Sequence, residues 1–162
     1  MDVYSANEII ELAVLIEESG YEYYKQALKR KELDLETKNL LEFLCDQEKK
    51  HKDLFLKMRD KEDIIDLESS NSWEEVSSFL KTIVNCKLFS NPDMAIIKAK
   101  ESNTKKELLQ HALQFEKDTL LYYHSICRLV SDEHIKDIME KIIVEEMSHI
   151  VKLALFIDKN RN

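Results

Sequence analysis

The chain has 162 residues, which is enough for one domain with a single substantial core. Its 44% apolar content argues against disorder, and its net charge of −8, without a basic stripe, argues against nucleic-acid binding. No segment approaches the roughly 18 apolar residues that span a bilayer, and the amino-terminal segment does not resemble a secretory signal. Three widely spaced cysteines without a CxxC pair are typical of a reducing compartment. We therefore expect a cytoplasmic protein that binds neither nucleic acid nor membrane.

One Gly and one Pro in the whole chain leave few sharp turns, so the composition predicts long helices and an all-α fold. Four segments have apolar residues at helical spacing, over residues 6–30, 35–59, 104–130 and 132–159. Each begins next to a capping signal, at Ser5, Asp34, Thr104 and Ser131-Asp132 respectively. These segments are predicted to be the four long helices of one domain covering residues 1–162.

The predicted second and third helices are separated by a long crossover, residues 61–103. Capping signals within it predict two short helices, from Trp73 to about Cys86 and from Pro92 to about Lys100. Short links make each flanking helix pair antiparallel, and the long crossover lets the second and third helices run parallel. This is the connectivity of a ferritin-like four-helix bundle. The alternative is an exchange of helix pairs between two chains, which would give a domain-swapped dimer. We expect a homodimer.

The most informative motif is a repeated set of acidic and histidine residues. Glu17 is followed 31 residues later by Glu48 of a Glu-x-x-His motif that ends at His51. Glu116 is followed 30 residues later by Glu146 of a second such motif, which ends at His149. Each glutamate lies three, four or seven residues from apolar neighbours, so all four face the inside of their helices. One Glu from each of two helices and one Glu-x-x-His from each of two others is the ligand set of a di-metal carboxylate centre.

The physical reason for a metal is charge. A buried ion costs several kcal/mol even after relaxation, so four buried carboxylates without partners would destabilise the bundle strongly. Two divalent cations would neutralise them, and mixed carboxylate and imidazole ligands suit iron or manganese. The sequence therefore predicts two bound iron ions, with manganese or a mixed pair as the other choice. A salt-bridged bundle core without metal is the structural alternative.

Other residues near the motifs are candidates for supporting roles. Tyr24 and Tyr123 each lie seven residues after a lone glutamate, and we expect them to hydrogen-bond to the metal carboxylates. Asp46 and Glu145 lie beside the two Glu-x-x-His motifs and are candidates for orienting a histidine.

Four stretches that contain these residues resemble the ligand-bearing helices of rubrerythrins, a group of ferritin-like di-iron proteins. They are residues 17–24 (EESGYEYY), 46–51 (DQEKKH), 116–123 (EKDTLLYY) and 144–149 (VEEMSH). The resemblance implies a di-iron enzyme that reduces hydrogen peroxide or dioxygen. It also implies that Glu48 and Glu146 bridge the irons, while Glu17 and Glu116 are terminal ligands.

The chain departs from rubrerythrins in two ways. Full-length rubrerythrins have a rubredoxin domain with paired CxxC motifs, and this sequence contains no CxxC. Electrons are therefore expected from a separate donor, such as a rubredoxin-like protein. Rubrerythrins also have an extra Glu one turn after the ligand of the third helix, and this chain has Thr119 there.

Two other functions would use the same residues. One is ferroxidase-type iron handling, in which ferrous iron is bound and oxidised for storage or delivery. The other is a non-catalytic bundle, stabilised by metal, that binds a partner.

Overall fold

The structure is a computed structural model. It describes residues 6–59, 78, 80, 82, 91–130 and 132–160. Within these ranges the chain forms five α-helices whose bounds are described, and no β-strand. The helices are α1 (Ala6–Ala27), α2 (Leu35–Arg59), α3 (Pro92–Glu101), α4 (Lys105–Cys127) and α5 (Glu133–Lys159). The predicted all-α class is confirmed. The prediction that residues 1–162 form a single domain stays a prediction.

Two of the long helices are shorter than predicted at their carboxyl ends. After Ala27, the amides of Lys29 and Arg30 bond to carbonyls three residues earlier, at 3.2 and 3.1 Å. After Cys127, the amide of Leu129 does the same at 2.9 Å. Bonds of this spacing tighten the chain into a turn. The apolar spacing continues through these turns, which is why it predicted helices that end three residues later.

Side chains at the helix starts explain where the helices begin. Four predicted N-caps each accept a hydrogen bond from an amide two or three residues further on, namely Asp34, Asn91, Thr104 and Asp132. Such bonds satisfy amides that have no acceptor inside the helix. The predicted cap at Ser5 lies outside the described residues. So does most of the predicted helix from Trp73 to Cys86, of which Ser78, Leu80 and Thr82 are described and helical.

Contacts between the helices show their relative directions. A seven-residue link, 28–34, makes α1 and α2 antiparallel. The hydroxyl of Tyr23 donates to the carbonyl of Leu108 at 2.6 Å, and that of Tyr122 donates to the carbonyl of Ile9 at 2.8 Å. Early residues of α1 therefore meet late residues of α4, so these helices are antiparallel too. It follows that α2 and α4 run parallel, and such a pair needs a connection that returns along the bundle.

The described end of the crossover lies beside α1. Helix α3 packs on α1 through the small buried residues Ala95 and Ala99. The guanidinium of Arg30 donates to the carbonyl of Ser102 at 2.6 Å and anchors the end of α3. The interior between α1, α2, α4 and α5 is thus left for the side chains of those four helices. None of the described helices is both long and apolar enough to cross a membrane.

Candidate metal centre

All six predicted ligands lie in the interior of the bundle, contributed by all four long helices. They are Glu17 on α1, Glu48 and His51 on α2, Glu116 on α4, and Glu146 and His149 on α5. None exposes more than 1% of its surface. Four carboxylates buried this completely require partners, because charged groups are almost never fully buried alone.

The ligand atoms form two overlapping groups. One consists of Glu17, Glu48, His51 and Glu146, and the other of Glu48, Glu116, Glu146 and His149. Within each group, the candidate ligand atoms lie within 4.8 Å of one another. Glu48 and Glu146 belong to both groups. Two four-ligand sets that share two carboxylates suggest two metal ions.

Several of these atoms have no hydrogen-bond partner. The unpartnered buried atoms include one oxygen of Glu17, both oxygens of Glu48, one oxygen of Glu146 and Nδ1 of His51. An unsatisfied buried polar atom costs about 1–3 kcal/mol, and native interiors contain few of them. Lone pairs that converge without donors are suited to cations, so the residues present fit a two-metal group.

The imidazole of His51 joins the cluster to the bundle surface. Its Nδ1 lies 2.8 Å from Oε1 of Glu146 and 3.6 Å from Oε2 of Glu17. Its Nε2–H donates to Oε2 of Glu145 at 2.7 Å. The Glu145 side chain is half exposed, and its bond turns Nδ1 of the ring towards the cluster. Glu145 thus contacts a histidine, as the prediction requires, and its orienting role stays a prediction. Asp46 is exposed on α2 and makes no hydrogen bond to either histidine of the described cluster.

His149 is held differently. Its Nδ1 lies 3.3 Å from Oε2 of Glu116 and 3.2 Å from Oε2 of Glu146, within hydrogen-bonding distance of both. Its Nε2 is buried and makes no hydrogen bond. The residue that corresponds to Glu145, 98 positions earlier, is Gln47, whose side-chain oxygen accepts from Lys50 at 2.8 Å instead. The two imidazoles therefore differ, because only that of His51 has a hydrogen bond at Nε2.

Two tyrosines link the helices that hold the lone glutamates. The hydroxyl of Tyr24 on α1 donates to Glu116 on α4, and that of Tyr123 on α4 donates to Glu17 on α1. The predicted bonds from tyrosines to the carboxylates are thus confirmed, and each crosses to the opposite helix. Burial and the neighbouring carboxylates raise the pKa of both tyrosines well above the ordinary value, so both hydroxyls remain donors.

The carboxylates show how crowded the negative charge is. Burial, followed by repulsion from Glu17, Glu116 and Glu146, raises the pKa of Glu48 well above its ordinary value. Burial and the charge of Glu146 raise the pKa of Glu116 to about 7. Burial also acts to raise the pKa of Glu146, but the neighbouring imidazoles of His149 and His51 outweigh it, so that pKa is lowered.

The histidines respond to the same charges in the opposite direction. Burial by itself lowers a histidine pKa, but the carboxylates of Glu146 and Glu17 outweigh it and raise the pKa of His51 to about 11. Glu116 and Glu146 raise that of His149 to about 9 in the same way. Without metal, therefore, protons on the imidazoles and on Glu48 limit the charge of the cluster.

A glycine makes room for one of the carboxylates. A Cβ atom at Gly20 on α1 would collide with Oε2 of Glu48 and lie 2.6 and 2.8 Å from atoms of the Phe115 ring. Gly20 follows Glu17 by three residues, so helical spacing alone places it on the inner face of α1 without giving it a role. The sequence did contain a sign of this role, because Gly20 is the only glycine of the chain and lies inside a predicted long helix, where glycine is unfavourable.

Comparison with known proteins identifies the architecture. No protein-family model matches the chain, and no curated protein matches it. The crystal structure of a candidate ferritin-like diiron-carboxylate protein from Thermotoga maritima is similar, with a TM-score of 0.71 and 25% sequence identity. The match covers 100% of this chain and 99% of the other.

The chain has a ferritin-like fold. This confirms the predicted bundle, and the ferritin-like neighbour together with the buried Glu and His cluster fits a di-iron protein. The similarity does not show a rubrerythrin-like subtype, which stays a prediction.

Proposed function

We propose that the protein binds two iron ions, or iron and manganese, and uses them to reduce hydrogen peroxide or dioxygen to water. The observation that supports this most directly is the pair of buried four-ligand groups that overlap at Glu48 and Glu146. In this proposal those two residues would be ligands of both ions. Glu17 with His51 and Glu116 with His149 complete the two sites.

Two ferrous ions would supply one electron each, which together with two protons reduce one hydrogen peroxide to two waters. The chain provides the conditions for that chemistry. Four carboxylates offset the cationic charge, and the hydroxyls of Tyr24 and Tyr123 fix the two terminal ones. The complete burial of these side chains would limit contact of bound ions with bulk water.

The electrons for further turnovers would come from a separate protein. The sequence has three cysteines and no CxxC pair that could form a rubredoxin-type iron site. A small rubredoxin-like protein is the proposed donor, in keeping with the resemblance to rubrerythrins.

The proposal is tested by metal analysis and single-turnover kinetics. Protein purified without added metal should contain about two iron or manganese ions per chain. The iron-loaded, anaerobically reduced protein should then be oxidised by hydrogen peroxide in a ratio of one peroxide to two irons, followed by absorbance in stopped flow. The double variant Glu48→Ala, Glu146→Ala should lose both the metal and the reaction, while the surface variant Glu140→Ala should keep both.

Other outcomes would indicate the alternative functions. Ferric iron that leaves the centre and accumulates in a large shell, measured by light scattering, would indicate iron handling instead. Protein that binds no metal and keeps its melting temperature in the double variant would indicate a bundle without a metal centre.

A further inference from the structure

One buried polar group outside the six predicted ligands also lacks a partner. Thr119 on α4 is 2% exposed, and its hydroxyl oxygen is fully buried without a hydrogen bond. Within the described ranges, all other buried side-chain atoms without a hydrogen bond belong to five of the six predicted metal ligands. These five are Glu17, Glu48, His51, Glu146 and His149. Thr119 therefore shares the property that marks the metal centre.

The free hydroxyl is unusual for a helix. A serine or threonine inside a helix commonly bonds to the carbonyl four residues earlier. Ser19 and Ser125 do so in this chain, at 2.7 and 2.8 Å. Thr119 makes no such bond to the carbonyl of Phe115. Its hydroxyl is thus available to a group that does not belong to the protein.

The helix places Thr119 next to the centre. It follows Glu116 by three residues and precedes Tyr123 by four, so the three side chains lie on one face of α4. Glu116 is a proposed metal ligand, and Tyr123 donates to another, Glu17.

The internal repeat of the sequence independently places Thr119 next to the metal centre. Residues of α1 correspond to residues of α4 that lie 99 positions later, and the reciprocal hydrogen bonds of Tyr23 and Tyr122 show that the correspondence holds in space. By this offset Thr119 corresponds to Gly20. Gly20 abuts Glu48, and Glu48 corresponds to Glu146 in the second half. By the same correspondence, Thr119 is expected on the Glu146 side of the centre.

A metal centre of this composition has few groups that can hydrogen-bond to a small ligand. The hydroxyls of Tyr24 and Tyr123 already donate to carboxylates. Carboxylates only accept hydrogen bonds, whereas a threonine hydroxyl both donates and accepts. The corresponding position on the other side, Gly20, has no side chain.

We propose that Thr119 forms a subsite for a small oxygen ligand of the two-metal centre, such as water or the peroxide substrate. This inference rests on the proposed function, because the ligand would be bound to the metal ions. The subsite makes the two sides of the centre unequal. The ligand binds on the α4 side, where the hydroxyl can hydrogen-bond to it.

Azide is the probe for this subsite, since it is a small anion whose binding to ferric iron gives a charge-transfer absorption. The full-length, iron-loaded protein is titrated with azide, together with Thr119→Val, which removes the hydroxyl, and Thr119→Ser, which keeps it. Thr119→Val should raise the dissociation constant up to about tenfold, the effect of one lost hydrogen bond. Thr119→Ser and the helical control Ser125→Ala should bind azide as the wild type does.

A second measurement uses the metal-free protein. Removing an unsatisfied buried hydroxyl should not lower stability, so metal-free Thr119→Val should unfold at the wild-type temperature or above it. A lower unfolding temperature would show that the hydroxyl has a protein partner and would overturn the subsite.

The two proposals fail separately. Unchanged azide affinity in Thr119→Val, with two metal ions still bound, overturns the subsite alone. Wild-type protein that binds no metal overturns the proposed function. If Thr119→Val does not retain its metal, Thr119→Ala provides the same comparison.

Discussion

The two histidines of the centre differ in how the surrounding side chains hold them. Nε2 of His51 donates to Glu145, whereas Nε2 of His149 has no partner. A carboxylate behind a ligating histidine fixes the ring and increases its basicity. The site containing His51 should therefore bind its metal ion more tightly than the site containing His149.

Glu145→Ala tests this difference. We expect the variant to weaken the tighter of the two metal-binding steps by about 10- to 100-fold, because the His51 ring loses its orienting bond. The measurement is an anaerobic calorimetric titration of metal-free protein with ferrous iron.

The matched control is Glu140→Ala, on the same helix and also exposed. It removes the same charge without touching His51. Equal losses of affinity in the two variants would attribute the effect to surface charge and contradict an orienting role for Glu145.

At the scale of helices, the four long helices form two related hairpins, α1 with α2 and α4 with α5. Tyr23 on α1 donates to a carbonyl of α4, and Tyr122 on α4 donates to a carbonyl of α1. Tyr24 and Tyr123 likewise donate across these two helices, to a glutamate of the opposite helix. The relation breaks down at Gly20 and Thr119, which occupy corresponding positions. On the Gly20 side the helix backbone itself lies close to Glu48.

Gly20→Ala tests whether this close approach matters. In an open helix position alanine would stabilise by about 1 kcal/mol relative to glycine. Here the added methyl group collides with Glu48 and Phe115, so the free energy of unfolding of the metal-free protein should fall by about 1–3 kcal/mol.

Urea denaturation measures this change, and metal analysis of the same variant shows whether Glu48 still reaches the ions. We expect reduced metal content, because Glu48 belongs to both four-ligand groups. An increase in stability, as helix propensity alone predicts, would contradict the close packing.

At the scale of the whole molecule, the buried negative charge couples stability to metal. Four glutamates and two histidines share one interior, and the carboxylates repel one another. Ions that bind only the folded state stabilise it by mass action.

Metal removal should therefore lower the melting temperature at pH 7. At a free metal concentration about 1,000 times the dissociation constant, the expected stabilisation is about 4 kcal/mol for each bound ion. Differential scanning calorimetry with and without a chelator measures it. The Glu48→Ala, Glu146→Ala variant should show no effect of the chelator, and an equal effect in that variant would place the metal elsewhere.

The metal-free protein should lose stability as the pH rises. The pKa values of His51 and His149 are raised from 6.5 to about 11 and about 9, so the stability that their protonation provides is complete below pH 6.5 and is lost above it. The raised pKa values of Glu48 and Glu116 act in the same direction, beginning above their ordinary value of 4.5. Glu146, with its lowered pKa, acts oppositely, losing its contribution as the pH falls through its ordinary range.

The test compares melting temperatures at about pH 6 and pH 9, a range in which the raised pKa values of both histidines and of Glu48 lower stability as the pH rises. The metal-free protein should melt at a lower temperature at the higher pH. Metal affinity should rise over the same range, because the ligands must release their protons to bind. A metal-free protein that is equally stable at both pH values would contradict the protonated state of the two imidazoles.

Much of the centre could be predicted from the sequence because it depends on spacing along single helices. The Glu-x-x-His motifs, the lone glutamates and the tyrosines seven residues later all lie on faces that 3.6 residues per turn define. The long helices followed from the near absence of glycine and proline and from the caps at Asp34, Thr104 and Asp132. The short links within each helix pair also indicated that the two helices of the pair are antiparallel.

Only the tertiary structure decided the contacts between helices. The bond from His51 to Glu145 joins residues 94 positions apart, and neither residue alone shows which neighbour it meets. The same is true of the space that Gly20 leaves for Glu48 and of the unpartnered hydroxyl of Thr119. Periodicity determines which face of a helix a side chain occupies. The distance, rotation and register between packed helices, which determine its partner, depend on the whole core.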